Sequence, residues 1–392
     1  MPTPSSPRIY MDNAATTPVD EAVLAAMLPF LSEVYGNPSS LHSWGREAQK
    51  ALDTARKTVA SCLNTHPESI IFTSGATEAN NLVLKGLAHS LTSKGRHIIT
   101  SSIEHASVHE TCDLLEQEGW EITRLPVDSD GFILPDALQN AIRPDTILVS
   151  IIHGNNEIGT IQPIEALGKL VRERSVLFHT DAVQTMGKLP FDLTRLPVDY
   201  LTLSAHKIYG PKGVGALYIR EGAPMPTPLL TGGGQEHDLR SGTENLAGII
   251  GLAKVLELAV FRMNEDTPRI QALQENLIAR ILETIPNAEL NGPRDVSLRV
   301  PGNAHFSFPP GEGEALVLRL DLKGIAVSSG SACHSAVIEP SRVVKALGKS
   351  DEIARATLRF SLGRHSTQAD VDRLLEVLPA IVSREKTAHR AQ

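Results

Sequence analysis

Ile147-Leu148-Val149-Ser150-Ile151-Ile152, followed at once by His153-Gly154-Asn155-Asn156-Glu157, is the stretch that decides the fold. Its aliphatic residues are nearly continuous and do not alternate with polar ones. The strand they predict must therefore be covered on both faces, as in a mostly parallel sheet flanked by helices. Ligands of such sheets collect outside the carboxyl ends of the strands. The amide-rich turn that follows lies at one of those ends.

The same texture extends on either side. Ile70-Ile71-Phe72, His97-Ile98-Ile99-Thr100, Val176-Leu177-Phe178 and Tyr200-Leu201-Thr202-Leu203 are further short apolar runs, and residues 214–219 predict a returning strand. Between them stand helical patterns, such as Ala48, Ala51, Leu52, Ala55, Val59 and Leu63 on one face of residues 46–63. A helical pattern over 245–260 gives way to Asn264-Glu265-Asp266 and Pro268, which predicts a boundary. Beyond it, helices are expected over 273–285 and 313–320, and short strands near 297–300, 304–308 and 357–361. A last helix opens behind Thr367-x-x-Asp370. These elements predict a smaller α+β domain.

Composition narrows the function classes. The chain has 392 residues, 41% hydrophobic and 21% charged, with a formal net charge of −8. These are globular values, and with no basic stripe neither nucleic acid nor an anionic membrane is an expected partner. Cys62, Cys112 and Cys333 are the three cysteines. They are too few and too scattered for a disulfide framework or a Cys-x-x-Cys metal pair, so no metal is expected and a reducing compartment is. The first eight residues have no apolar signal core and one arginine. With no apolar run long enough to span a bilayer, a cytoplasmic location is expected.

Several strand ends bear chemistry. In Ser204-Ala205-His206-Lys207-Ile208-Tyr209-Gly210-Pro211-Lys212-Gly213, a lysine between a polar cluster and a glycine turn suits covalent attachment of an aldehyde cofactor, or else a plain surface turn. Asp181, after Val176-Leu177-Phe178-His179-Thr180, suits a carboxylate paired with a protonated pyridine nitrogen, or a helix N-cap. Thr73-Ser74-Gly75-Ala76-Thr77 ahead of a helix suits a phosphate. His105 is placed to stack on a flat ring or move protons, or to be a structural histidine. Asn156 is placed to bond a cofactor oxygen or merely to shape a turn.

Together these residues carry a resemblance. Tyr10-Met11-Asp12-Asn13-Ala14-Ala15-Thr16-Thr17-Pro18, Gly36-Asn37-Pro38-Ser39-Ser40-x-His42, Ser74-Gly75-Ala76-Thr77-Glu78-Ala79-Asn80-Asn81, Asn155-Asn156-Glu157-Ile158-Gly159, Asp181-x-x-Gln184 and Ser204-x-His206-Lys207 are similar to the pyridoxal-phosphate cysteine desulfurases of the class V aminotransferase superfamily. The segment Val327-Ser328-Ser329-Gly330-Ser331-Ala332-Cys333 resembles the NifS/IscS-like group. The resemblance implies the type I fold of pyridoxal-phosphate enzymes. Its large cofactor domain would span 15–262, and its small domain would join 1–14 to 263–392. It also implies roles. Lys207 would hold pyridoxal 5'-phosphate, Asp181 would pair with its ring nitrogen and His105 would stack on the ring. Asn156 and Gln184 would contact the cofactor. Ala76, Thr77, Ser204 and His206 would hold its phosphate. Thr243 would reach the phosphate of a partner subunit, implying a homodimer. Asn37 and Arg359 would bind the substrate carboxylate.

The implied activity converts L-cysteine to L-alanine and passes sulfur, as a persulfide on Cys333, to an Fe–S scaffold or another sulfur-acceptor protein. Cys333 lies among small residues that predict a loop suited to delivering sulfur, whereas Cys62 and Cys112 fall in helical patterns as small hydrophobes do. Two features depart from the pattern. His237-Asp238 stand where relatives often have Arg-Gly, and His334 follows Cys333 in place of a small hydroxyl residue. Selenocysteine lyase, cystine lyase and aminotransferase are the neighbouring activities on this fold. A non-catalytic platform is the other class of function, and the presence of Lys207, Asp181 and His105 argues against it.

Overall fold

The computed structural model describes residues 8–329 and 339–390. Its strands are β1 (Ile9–Tyr10), β2 (Ile70–Thr73), β3 (His97–Ser101), β4 (Glu121–Leu125), β5 (Thr146–Ile152), β6 (Leu177–Asp181), β7 (Tyr200–Ser204), β8 (Gly215–Ile219), β9 (Glu289–Leu290), β10 (Asn303–Ser307), β11 (Ile325–Ala326) and β12 (Thr357–Ser361).

Seven strands form the large sheet in the order β2-β8-β7-β6-β5-β3-β4. β8 runs antiparallel to β2 and β7, and the other neighbours are parallel. β5 lies between β3 and β6, and every one of its residues is buried. Its two faces feed separate cores. Val149 and Ile151 join Leu52, Val59, Leu167 and Leu252, whereas Ile147 and Leu148 join Leu82, Leu87, Val108 and Leu115. Cover on both sides is why this run needs no alternation. β4 was not expected. It is an edge strand with only Ile122 and Leu125 apolar, and its Arg124 bonds Glu116 at 2.7 Å, so its composition is that of a solvated segment.

The other strands form an antiparallel sheet, β12-β10-β9, and a parallel pair, β1-β11. Bridges Asp12↔Ser361 and Ser328↔Arg359 extend β1 and β11 onto β12. Their core contains Met11, Leu277, Phe306, Leu316, Phe360 and Leu374. At 297–300 the expected strand is instead a 3-10 turn, Val296–Leu298. The Asp295 carboxylate accepts from the Ser297 amide at 2.9 Å, and this local bond replaces ladder pairing.

The break in the chain's helical run expected at 264–268 does not occur. One α-helix, Leu246–Thr284, runs through this stretch for 39 residues, Pro268 included. Asn264, Glu265 and Pro268 lie on its exposed face, while Leu252, Leu256 and Ala259, then Leu273, Leu277 and Ile281, keep the apolar face buried. The Thr267 hydroxyl donates to the Lys188 carbonyl at 3.0 Å and the Arg269 guanidinium to that of Ser366 at 3.0 Å. Tertiary contacts thus hold a helix that the missing proline N–H weakens.

Candidate active site

The carboxyl ends of β2, β3, β5, β6 and β7 lie along one edge of the large sheet, and the polar residues follow from there. β6 ends in Asp181, 4% exposed. No helix follows it, so it is not an N-cap. Its Oδ1 accepts from the Val183 amide at 3.0 Å and its Oδ2 from the Asn80 side-chain amide at 2.8 Å. Asn80 also donates to the Ser107 hydroxyl at 2.8 Å, and that hydroxyl lies 2.8 Å from Nδ1 of His105. Asn80 and Ser107 therefore connect Asp181 to His105. Neither was singled out from the sequence. The available signal was an amide on the buried face of helix Ala76–Ser90, beside Ala79, Leu82 and Val83.

His105 caps helix Ala106–Gln117, its Nδ1 accepting the Ser107 amide at 3.1 Å. That bond leaves the ring proton on Nε2. Desolvation lowers the pKa, the Lys207 charge lowers it further and Asp181 opposes them.

Lys207 ends a 3-10 turn directly after β7. Its amine donates to the carbonyls of Ala14 at 2.8 Å and Ala15 at 2.7 Å. Burial, reinforced by the Arg359 charge, pulls its pKa down to about 8. Gln184, 4% exposed, donates to the same Ala14 carbonyl at 2.9 Å. His206 lies 3.1 Å from the Thr16 hydroxyl, and desolvation lowers its pKa to about 4. The segment 12–17 thus meets four of the expected site residues, Lys207, Gln184, His206 and, through Asp12, Arg359, and sequence reading assigned it no role.

Arg359 on β12 approaches from the smaller sheet, 3% exposed. Its guanidinium donates to the Asn156 carbonyl at 2.8 Å and to Asp12 at 2.9 Å, while its buried Nε–H has no hydrogen-bond partner among the described residues. Ser204 ends β7 and faces Gly75, where an added Cβ would stand 3.9 Å from its Oγ. Gly75, at φ 153°, precedes helix Ala76–Ser90, whose first amides have no side-chain cap. Ala76 and Thr77 form its first turn. Among the described residues, Asn37 and Thr243 are exposed and bond none of this set, the Asn37 side chain accepting from the Ser39 amide at 2.9 Å and its carbonyl from the Ser40 amide at 2.9 Å. Cys333 and His334 lie outside the described residues. Burial raises the thiol pKa of Cys62 to about 11 and of Cys112 to about 12, so neither is a ready nucleophile. At 236–238, Glu236, His237 and Asp238 all have positive φ, and Glu236 is held by Arg56 at 2.5 Å and by the Phe72 amide at 2.8 Å.

Residues 9–374 match the model of the family described as aminotransferase class-V. The chain belongs to this family. Class-V relatives named cysteine desulfurase IscS include one from Dictyoglomus turgidum, 50% identical over 97% of this chain and 95% of its own length. Another, from Methanosarcina thermophila, is 50% identical over 96% of this chain and 92% of its own length. A solved class-V structure titled NifS-like protein superposes with a TM-score of 0.90 at 41% identity, covering 96% of this chain and all of that one. The resemblance read from the sequence and the mostly parallel α/β fold both agree with these relatives. The class-V family, its cysteine desulfurases included, depends on pyridoxal phosphate.

Proposed function

We infer that this protein is a pyridoxal-phosphate-dependent cysteine desulfurase. It converts L-cysteine and the Cys333 thiol to L-alanine and a Cys333 persulfide, and the sulfur then passes to an acceptor protein for Fe–S cluster or thio-cofactor synthesis. The observation that carries this is one buried carboxylate and one depressed amine, Asp181 and Lys207, on neighbouring strand ends of a class-V fold.

The residues fit the cofactor. Among the described residues Asp181 receives only neutral donors, which suits a carboxylate that also faces a cationic ring N–H. The uncapped start of helix Ala76–Ser90, with Gly75, Thr77 and Ser204 around it, suits a phosphate, and His206 would add to that set. Asn156 and Gln184 would contact its ring oxygen side and Lys207 would hold it covalently. Bound there, pyridoxal phosphate supplies the electron sink that makes the α-proton of cysteine acidic.

The chain's own groups do the rest. Arg359, whose Nε–H has no partner among the described residues, and Asn37 bind the substrate carboxylate. Lys207 Nζ, deprotonated in appreciable fraction at neutral pH, takes the proton from Cα. His105 Nε2 moves a proton at the substrate sulfur. The Cys333 thiolate bonds that sulfur as the substrate's Cβ–S bond breaks, its electron pair staying with carbon, so the sulfur is oxidised to persulfide level while the β-carbon, once protonated, is reduced to the methyl of alanine. Under the same reading, residues 15–262 form the cofactor domain and 1–14 with 263–392 the small domain. The protein works as a cytoplasmic homodimer, and Thr243 reaches the partner's cofactor phosphate.

The test is alanine and sulfide release from L-cysteine with a reductant, in wild type and Cys333→Ser. Equal yields in wild type and loss of both in the variant are expected. Full sulfur release by Cys333→Ser would overturn the persulfide route. A protein that pyridoxal phosphate does not turn yellow would overturn the enzyme itself.

A further inference from the structure

Glu104, the residue before His105, has no part in the reading above and is 2% exposed. Its Oε1 accepts two hydrogen bonds, from the Ser101 hydroxyl at 2.5 Å and the Ile152 amide at 2.9 Å. Its Oε2 is buried with no hydrogen-bond partner among the described residues. Among the described residues no lysine, arginine or histidine pairs with it. The titratable groups facing it are Asp181 on β6 and Cys112 on helix Ala106–Gln117, neither of them a cation. A carboxylate in such a place loses its hydration and gains no counter-charge, so it keeps its proton instead. Burial, with Asp181 adding to it, pushes its pKa up to about 8.

Its position gives the neutral acid a use. Ser101 and Ile152 are the last residues of β3 and β5, so this one oxygen clamps two strand ends. The Asn155 side-chain amide donates to the Ile103 carbonyl at 2.7 Å, a second clamp on the same turn. That turn delivers His105, and Ile152 pairs in register with Asp181.

We propose that Glu104 is a positioning residue, a protonated carboxylic acid that fixes the His105 turn to β5 without setting a second carboxylate charge beside Asp181. The roles of His105 and Asp181 rest on the proposed function; the protonation of Glu104 does not. As pH rises past the acid's midpoint, Glu104 ionises, placing repulsive charge next to Asp181. The uncharged isostere escapes this.

Infrared difference spectra of the holoenzyme, wild type minus Glu104→Gln, read the proton directly. A protonated-carboxyl carbonyl band is expected at pH 6 and should be gone by pH 10. Its absence at pH 6 overturns the proposal, whether or not the enzyme turns over. An inactive wild type that shows the band overturns the proposed function and leaves this inference standing. In steady-state kinetics with cysteine, Glu104→Gln is expected within about threefold of wild type at pH 7, and its kcat/KM relative to wild type should rise at least about threefold by pH 9.5. Glu104→Ala, which loses the clamp, is expected to lose at least about tenfold in kcat with little change in KM. Equal loss in Glu104→Gln and Glu104→Ala at pH 7 would mean that the charge is needed, and the proposal fails.

Discussion

The amine of Lys207 offers a quantitative check. Buried beside the Arg359 charge, it titrates near 8 instead of 10.5. At pH 7 its free-base fraction is then on the order of 10%, against roughly 0.03% for an unperturbed lysine, an advantage of about 300-fold. The assay is competitive reductive methylation of the cofactor-free protein from pH 6 to 11, with peptide mass spectrometry. Labelling of Lys207 is expected to rise with a midpoint near 8, while exposed lysines in the same digest rise near about 10.4. Linkage gives a second readout. The unfolded chain binds the extra proton between pH 8 and 10.5, so this group's contribution to stability is full above 10.5 and is lost as pH falls towards 8. The change is about 3 kcal/mol and should be missing from Lys207→Met. A Lys207 midpoint at or above 10 would refute the reasoning, because neither burial nor Arg359 would then be acting on the amine.

Arg359→Lys keeps the charge but loses the planar fork, and KM for cysteine should rise about ten- to a hundredfold with kcat less affected. An unchanged KM would remove Arg359 from substrate binding. Arg56→Leu strands the buried Glu236 carboxylate and is expected to cost about 3–5 kcal/mol, seen as a lower thermal midpoint that Glu236→Gln partly restores. Iodoacetamide at pH 8 should leave Cys62 and Cys112 unmodified, and replacing both with alanine should leave sulfur release intact. Alkylation of Cys112 with loss of activity would contradict its buried, protonated state.

Legibility in the sequence followed burial. β5 could be read from its own residues because both its faces are covered. β4 could not, since an edge strand bearing Arg124 shows neither continuity nor alternation. The helix through Pro268 was divided because Asn264 and Glu265 look like a linker, and only the anchors at Lys188 and Ser366 explain its survival. At the site, Lys207, Asp181 and His105 stood out because each lies at or just beyond a strand end. The relay through Asn80 and Ser107 joins residues far apart in the chain, and no local pattern encodes it. The same holds for the Ala14 and Ala15 carbonyls, which engage Lys207 through backbone atoms that any side chain would provide.

The helix Leu246–Thr284 has a bearing on how the molecule comes apart. At about 1.5 Å per residue it is a rod of roughly 58 Å. Leu252 and Leu256 are embedded in one core, Leu277 and Ile281 in the other. Neither core can open without baring the flank of a rod that the other still grips. Amide exchange at these two ends of the rod should therefore share one opening free energy, and the protein should melt as a single foldon rather than in two steps.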